Sequence, residues 1–189
     1  MVERHLGKRG ERRLNRIRSV LQRFAGEEKG STVVEFALVA APFIVMLIGL
    51  FEVCLIFIAT TTLEHGASEA ARQIRTGELQ SSGASAETFK QLVCDNSFGI
   101  LDCNDRLKVD VRVFESFTNT SNDNPIKDGK VDDSALQFDA GEGNDIVLAR
   151  VFYEWNLITP VISAPLSNMD ENKRLLQANV AFRNEPFGD

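Results

Sequence analysis

The sequence has 189 residues, of which 43% are hydrophobic and 25% charged, and its formal net charge is −6 at pH 7. This length predicts one modest folded domain with room for an anchor segment. Two histidines and three cysteines, without a CxxC pair or a Cys/His cluster, argue against a zinc site and against histidine-based nucleophilic catalysis.

The charges are divided unevenly along the chain. Residues 1–30 carry nine basic and four acidic side chains, whereas the rest of the chain is acidic. A basic run also fits nucleic-acid binding or a disordered tail, but the apolar segment directly after it favours a cytoplasmic leader of a membrane protein, with no nucleic-acid partner. Within this leader, residues 11–25 have apolar side chains at helical spacing and predict a short amphipathic helix.

An apolar run extends from residue 36 to residue 59 and contains one charged residue, Glu52. At ~1.5 Å per residue these positions span roughly 36 Å, enough for a hydrocarbon core of about 30 Å. A secretory signal peptide would have a shorter apolar region nearer the N-terminus, and a buried helix of a small soluble domain is rarely apolar on all sides. We therefore predict a transmembrane helix over 36–59, with the N-terminus in the cytoplasm.

Two carboxylates accompany this run. Glu35 stands immediately before it and Glu52 lies within it. An ionisable residue at such a position costs free energy unless it has a partner, so each is a functional hypothesis. An alternative explanation of Glu35 is that the helix dipole stabilises its carboxylate at the helix N-terminus, by about 0.3–1 kcal/mol. Three explanations of Glu52 stay open: snorkelling outward, protonation, or pairing with a polar group on a neighbouring helix.

The helix is predicted to continue beyond the membrane. Residues 31–77 are expected to form one long helix that Pro42 kinks or deprives of a hydrogen bond and that Gly77 ends. Residues 78–189 form the predicted domain outside the membrane. It begins with a polar linker at 78–86 and a short helix at Glu87–Cys94.

Three segments with alternating apolar residues predict strands. They are Arg106–Phe114, Asp145–Trp155 and Leu175–Arg183, and the second is apolar on both faces, as expected of a central strand. The prediction is an α+β, pilin-like domain with an antiparallel sheet of three or four strands. The connection at 116–144 is polar and predicts a surface excursion. The connection at 157–174 is apolar and either packs on the sheet or contacts a partner or a membrane.

The cysteines and the acidic loops are the remaining candidates for a disulfide or a metal site. Cys54 lies in the apolar run and is expected to be a packed thiol, whereas Cys94 and Cys103 lie beyond the membrane, where disulfides persist. A disulfide between them would raise the free energy of unfolding by about 2–3 kcal/mol. The alternative is two free, buried thiols. The Asp128-Gly129 segment has calcium-loop composition, but EF-hand spacing fails. We predict no metal, no cofactor and no catalytic residue.

Three motifs in the helix carry a resemblance to a known family. They are GSTVVEFALV at 30–39, GLFEV at 49–53 and ASEAAR at 67–72, with ANVAFRNEPF at 178–187 in addition. Together they resemble the TadE-like family, minor pilins (pseudopilins) of the tight-adherence, or Flp, pilus system. The resemblance implies a bacterial inner-membrane protein, cleaved between Gly30 and Ser31 by a prepilin peptidase. It would act in assembly or initiation of a pilus used for adhesion and biofilm formation.

Cleavage there would create a new N-terminal ammonium on Ser31. Glu35 of a neighbouring subunit could neutralise it and set the axial register, with Phe36 and Glu52 as further subunit-pairing residues. Implied partners are the peptidase, other minor and major pilins, the inner-membrane assembly platform and membrane lipid. The alternative is an uncleaved, membrane-anchored binding or scaffold module of the secretion machinery. A periplasmic enzyme would have to perform acid–base chemistry without histidine.

Overall fold

A computed structural model describes residues 28–119 and 124–187. The chain divides into two compact units, Met1–Ile48 and Gly49–Asp189, called here the N-terminal and C-terminal units. The C-terminal unit begins at Gly49 and therefore includes the last part of the long helix. The sequence predicted a different boundary, at residue 77, where that helix was expected to end. The amphipathic helix predicted at 11–25 lies outside the described residues.

Helix α1 is continuous from Glu28–Arg75 and contains Pro42, which lacks the amide hydrogen needed for one backbone bond. The helix ends as predicted: the Gly77 amide donates to the Ile74 carbonyl at 3.0 Å, and Gly77 has a φ of 78°. Glycine adopts this left-handed conformation at low cost.

Two short helices follow α1. Helix α2 (Glu78–Ser82) lies in the stretch that the sequence predicted as a linker, whereas α3 (Ala86–Asp95) corresponds to the predicted short helix. The Ser85 hydroxyl accepts a hydrogen bond from the Thr88 amide and caps α3.

In chain order, the strands are β1 (Leu107–Phe114), β2 (Ile126–Lys127), β3 (Lys130–Val131), β4 (Ile146–Asn156) and β5 (Lys173–Arg183). Strands β1, β4 and β5 form an antiparallel sheet with β4 in the centre. The α+β fold and the central position of the second predicted strand are thus confirmed. The sequence pattern predicted the central position of β4 correctly because a strand with apolar residues on both faces has to be covered on both faces, as β4 is.

Two elements in the connections were not predicted. Strands β2 and β3 form a hairpin whose turn residues, Asp128 and Gly129, both have positive φ, as a tight primed turn requires. Asp128-Gly129 therefore serves as a hairpin turn. Helix α4 (Pro160–Leu166) occupies the apolar connection between β4 and β5, with Thr159 before it and Pro160 at its first position.

One face of the sheet packs against α1 and α3. The side chains that α1 contributes are small or aliphatic and recur at helical spacing: Ala59, Leu63, Ala67, Ala70, Ala71 and Ile74. At Gly66 an added Cβ would lie 2.7 Å from the Val93 carbonyl oxygen, so α3 can pack this closely against α1 only because residue 66 is a glycine. Between Glu52 and Arg75 the helix rises about 35 Å, close to the length of about 36 Å expected for β5. The Glu185 amide, just after β5, donates to the Arg75 carbonyl at 2.8 Å.

The other face of the sheet holds a second cluster of Phe152, Met169 and Leu175, against which hairpin residues pack. Here Asp110 of β1 stands directly opposite Arg150 of β4. Asp110 alternates with apolar residues along β1, as a residue of a polar face would, but its side chain is 0% exposed. The returning segment covers this face: the Val111 amide donates to the Gln137 carbonyl, and the Asp139 amide to the Val111 carbonyl.

Asp110 is the centre of a hydrogen-bond network. Its Oδ2 accepts from Arg150 Nε at 2.8 Å and from Arg150 Nη2 at 2.6 Å. Its Oδ1 accepts from Arg112 Nε at 2.9 Å and from the Gln137 amide at 2.8 Å. Charged groups bonded in this way are costly to separate inside a protein, so the network fixes both the β1–β4 register and the segment that covers it.

Candidate membrane and assembly surface

The described part of the N-terminal unit is a helix with exposed apolar side chains. Phe36 is 73% exposed, and the exposed set continues through the unit with Val33, Val34, Leu38, Val39, Phe43, Ile44, Val45, Met46 and Ile48. Among the described residues, α1 is the one helix long and apolar enough to cross a membrane. A helix that leaves apolar side chains uncovered over such a length indicates a single-pass membrane anchor.

The residues of the predicted processing and pairing site lie at the start of α1. Gly30 and Ser31 fall in its first turn, so the proposed scissile bond is at the helix end, where the amides have no intrahelical acceptor. Glu35 is exposed one turn further along, followed by Phe36. The i and i+4 positions lie on one side of a helix, so the structure brings the backbone of Ser31 and Glu35 together. Pairing between subunits remains a prediction.

Glu52 has partners that the sequence did not indicate. Although it lies in the apolar stretch of α1, Glu52 is 2% exposed. Its Oε1 accepts from the Ile158 amide at 3.0 Å; its Oε2 accepts from the Thr159 amide at 3.1 Å and the Thr159 hydroxyl at 2.7 Å. The carboxylate thus binds the start of the β4–β5 connection within its own chain. None of the three explanations offered from the sequence describes this arrangement.

The β4–β5 connection is fixed at further points. The Leu157 amide donates to the Asn172 carbonyl at 3.1 Å, and Asn172 Nδ2 donates back to the Leu157 carbonyl at 3.3 Å. At the other end of α4, Arg174 Nη1 donates to the Leu166 carbonyl at 2.7 Å. These bonds and those of Glu52 hold the connection against α1 and the ends of the neighbouring strands.

Charged residues stand on both sides of the uncharged stretch at 155–169. Lys173 Nζ lies 3.0 Å from Glu171 Oε2 and 3.2 Å from Glu154 Oε2. The hydrogen bond to Glu171, followed by that to Glu154, raises the pKa of Lys173 above its usual value. The lysine therefore stays cationic at the border of an uncharged segment.

The three cysteines differ in their surroundings. Cys94, in α3, and Cys103, shortly before β1, form a disulfide with a Cα–Cα distance of 5.9 Å. Cys54 is exposed on α1, and the expectation of a packed thiol is wrong. Its helix packs on the domain along only one stripe, and Cys54 lies off that stripe between the exposed Val53 and Leu55.

Replacing Cys94 and Cys103 together with serine is expected to lower the free energy of unfolding by about 2–3 kcal/mol, because the bridge restricts the unfolded chain. Denaturant unfolding of the full chain in detergent, followed by the fluorescence of Trp155, measures this change. Cys54→Ser is the control and should leave the unfolding midpoint unchanged. Equal stability of the double variant and the parent chain would show that the bridge has no stabilising role.

Comparison with known protein families gives a match that lies within α1. A family model described as TadE-like protein matches residues 30–72. The chain carries a TadE-like segment. The match contains the three helix motifs and confirms that part of the resemblance, whereas the motif at 178–187 lies outside it. The TadE-like family is associated with the tight-adherence pilus. No curated protein and no solved structure matches the chain.

The TadE-like segment coincides with the features described above. It begins at Gly30, the predicted processing residue, and ends at Arg72, one turn before the end of α1. It contains Glu35, the exposed apolar stretch and Glu52. The family is a structural, pilus-associated one. The sheet lies outside the match, so its role has to be argued from its own geometry.

Proposed function

We propose that this chain is a minor pilin, or pseudopilin, that acts structurally in assembly or initiation of a tight-adherence pilus. The observation that carries the proposal is the coincidence of the TadE-like segment, residues 30–72, with the exposed apolar part of α1. A helix with this surface needs either lipid or other helices around it. Pilin assembly provides both, first in the membrane and then beside other subunits.

Processing is the first step of the proposed function. A prepilin peptidase cleaves between Gly30 and Ser31 and removes the basic leader, whose charge favours a cytoplasmic location before cleavage. The domain that follows α1 then lies on the periplasmic side of the inner membrane. Cleavage within the first helical turn leaves the rest of α1 intact, because the hydrogen bonds further along do not involve the leader.

Pairing is the second step. The new ammonium of Ser31 and the carboxylate of Glu35 are both costly to place in an apolar environment. Neutralisation of one subunit's ammonium by the Glu35 of its neighbour reduces that cost and selects one axial register. Phe36, which is 73% exposed, extends the same contact with an apolar group. Subunits in another register would leave both charges without this partner.

Deletion and complementation in a host with a tight-adherence system test this proposal. Deletion of the chain should abolish surface pili and adherence, and the parent sequence should restore them. Glu35→Ala should be inserted into the membrane and cleaved but should fail to restore pili. The matched control is Glu64→Ala, an exposed glutamate of the same helix beyond the predicted span. Normal piliation in the deletion strain would refute the role, and normal piliation with Glu35→Ala would refute the pairing.

A further inference from the structure

The C-terminal unit has an exposed apolar surface at the level of Glu52. On α1 it comprises Leu50, Phe51, Val53, Leu55, Phe57 and Ile58, and on the β4–β5 connection it includes Ile158, which is 68% exposed. Because the Ile158 amide donates to Glu52, this side chain lies at the same height along α1 as the exposed helix residues. We call the exposed Ile158 and helix α4 the connection surface.

The sequence of the connection surface itself carries no charge, although Arg174 donates to the Leu166 carbonyl at the C-terminal end of α4. Residues 155–169 contain no Asp, Glu, Lys or Arg, and on α1 residues 53–63 contain none either. Charged residues begin again at Asp170 on one segment and at Glu64 on the other. Two segments far apart in sequence thus both lack charged residues where the structure brings them together. Charged side chains are costly inside a bilayer, so this coincidence is expected of a surface in contact with lipid.

Several backbone amides of the connection find their acceptors within the chain. The Leu157 amide bonds to Asn172, and the Ile158 and Thr159 amides bond to Glu52. Pro160 has no amide hydrogen, and the Ser163 amide bonds to the Thr159 carbonyl. Backbone in contact with lipid has to find its hydrogen bonds internally because no water is available. An exposed loop in water has no such requirement.

We propose that the connection surface rests in the bilayer, at the leaflet on the C-terminal side of the span, with Ile158 in contact with lipid. Glu52 is the residue that holds it there. If the predicted span ends at residue 59, Glu52 lies about 10 Å inside that end, and a carboxylate at this depth requires donors. The connection supplies those donors, and in return Glu52 fixes an apolar segment of the domain against the membrane. The inference rests on the membrane anchor but not on cleavage.

Spin labels measure this contact directly. The full chain, with Cys54→Ala and the disulfide intact, is reconstituted alone in lipid vesicles and labelled with a nitroxide at Ile158→Cys. Accessibility is then compared for oxygen, which concentrates in lipid, and for a water-soluble nickel chelate. The matched control is Ile100→Cys: Ile100 is 48% exposed, and its neighbour Phe98 stacks on His65. From Glu52 to His65 the helix rises about 20 Å. Phe51→Cys reports on the anchor itself.

We expect the oxygen-to-nickel ratio at position 158 to resemble that at position 51 and to exceed that at position 100 several-fold. A ratio at position 158 equal to that at position 100, with position 51 still in lipid, would overturn the inference and leave the anchor intact. Low accessibility to both reagents at position 158 would mean that a second copy of the chain covers the connection surface, which also overturns it. A water-like ratio at position 51 would overturn the anchor and this inference together.

Discussion

Asp110→Ala is expected to lower the free energy of unfolding of the C-terminal unit by about 3–5 kcal/mol, because it leaves a buried guanidinium without its carboxylate. The side chain of Arg150 is only 3% exposed, and both of its hydrogen bonds to Asp110 are 2.8 Å or shorter. The change also removes the acceptor for the Gln137 amide, so the segment over this face loses an attachment. Denaturant unfolding of the full chain, followed by Trp155 fluorescence, measures the loss.

Two variants separate the buried pair from its surroundings. Arg112→Ala removes a guanidinium whose side chain is 25% exposed, and it is expected to cost about 1 kcal/mol or less. The double variant Asp110→Leu with Arg150→Met replaces both charges with apolar groups and should recover the part of the lost stability that comes from the unpaired guanidinium, while the Gln137 amide still lacks its acceptor. If Asp110→Ala is no more destabilising than Arg112→Ala, the network does not have the role assigned to it.

Glu52→Ala is the second change with a large expected effect, a loss of about 3 kcal/mol in the free energy of unfolding. It leaves the Ile158 and Thr159 amides without an acceptor, and each buried unsatisfied donor costs about 1–3 kcal/mol. We expect the β4–β5 connection to detach from α1. Limited proteolysis of the reconstituted chain should then cut between residues 156 and 172, where we expect the parent chain to resist cleavage.

Graded controls accompany this variant. Glu52→Gln keeps one acceptor oxygen and should have a smaller effect, and Thr159→Val removes only the hydroxyl donor and is expected to cost about 1 kcal/mol. Glu64→Ala removes an exposed glutamate of the same helix and should not change the cleavage pattern. Unchanged protection of the connection in Glu52→Ala would show that the carboxylate is not what holds it.

The sequence predicts the elements of this fold well because their signals are local. The alternation in β1, β4 and β5 and the length of α1 can be read within a short window, and the left-handed conformation at Gly77 follows from its residue type. The short helix α3 was predicted to within one residue at each end. The membrane anchor is recognised from the same kind of signal, a long apolar stretch with a single charged residue.

The roles of Glu52 and Asp110 could not be predicted in the same way, because both depend on contacts between distant parts of the chain. Glu52 binds residues more than 100 positions away, and Asp110 is buried by the last part of the long polar excursion at 116–144. Glu52 is the one charged residue of an apolar run, which identifies it as unusual but does not name its partner. Asp110 belongs to a regular alternation with Lys108 and Arg112, so the sequence gives no signal that it is buried. A useful signal for Glu52 was the uncharged stretch at 155–169, which begins the β4–β5 connection and has Thr159 near its start.

The most direct test of the account is the intact mass and the N-terminal residue of the membrane-extracted protein, made with and without a cognate prepilin peptidase. The account predicts a mature chain beginning at Ser31 only when the peptidase is present, and no cleavage when the bond is altered by Gly30→Leu. A chain that begins at Met1 under both conditions would contradict it. That result would remove the ammonium that Glu35 is proposed to pair with and leave a fixed membrane-anchored module.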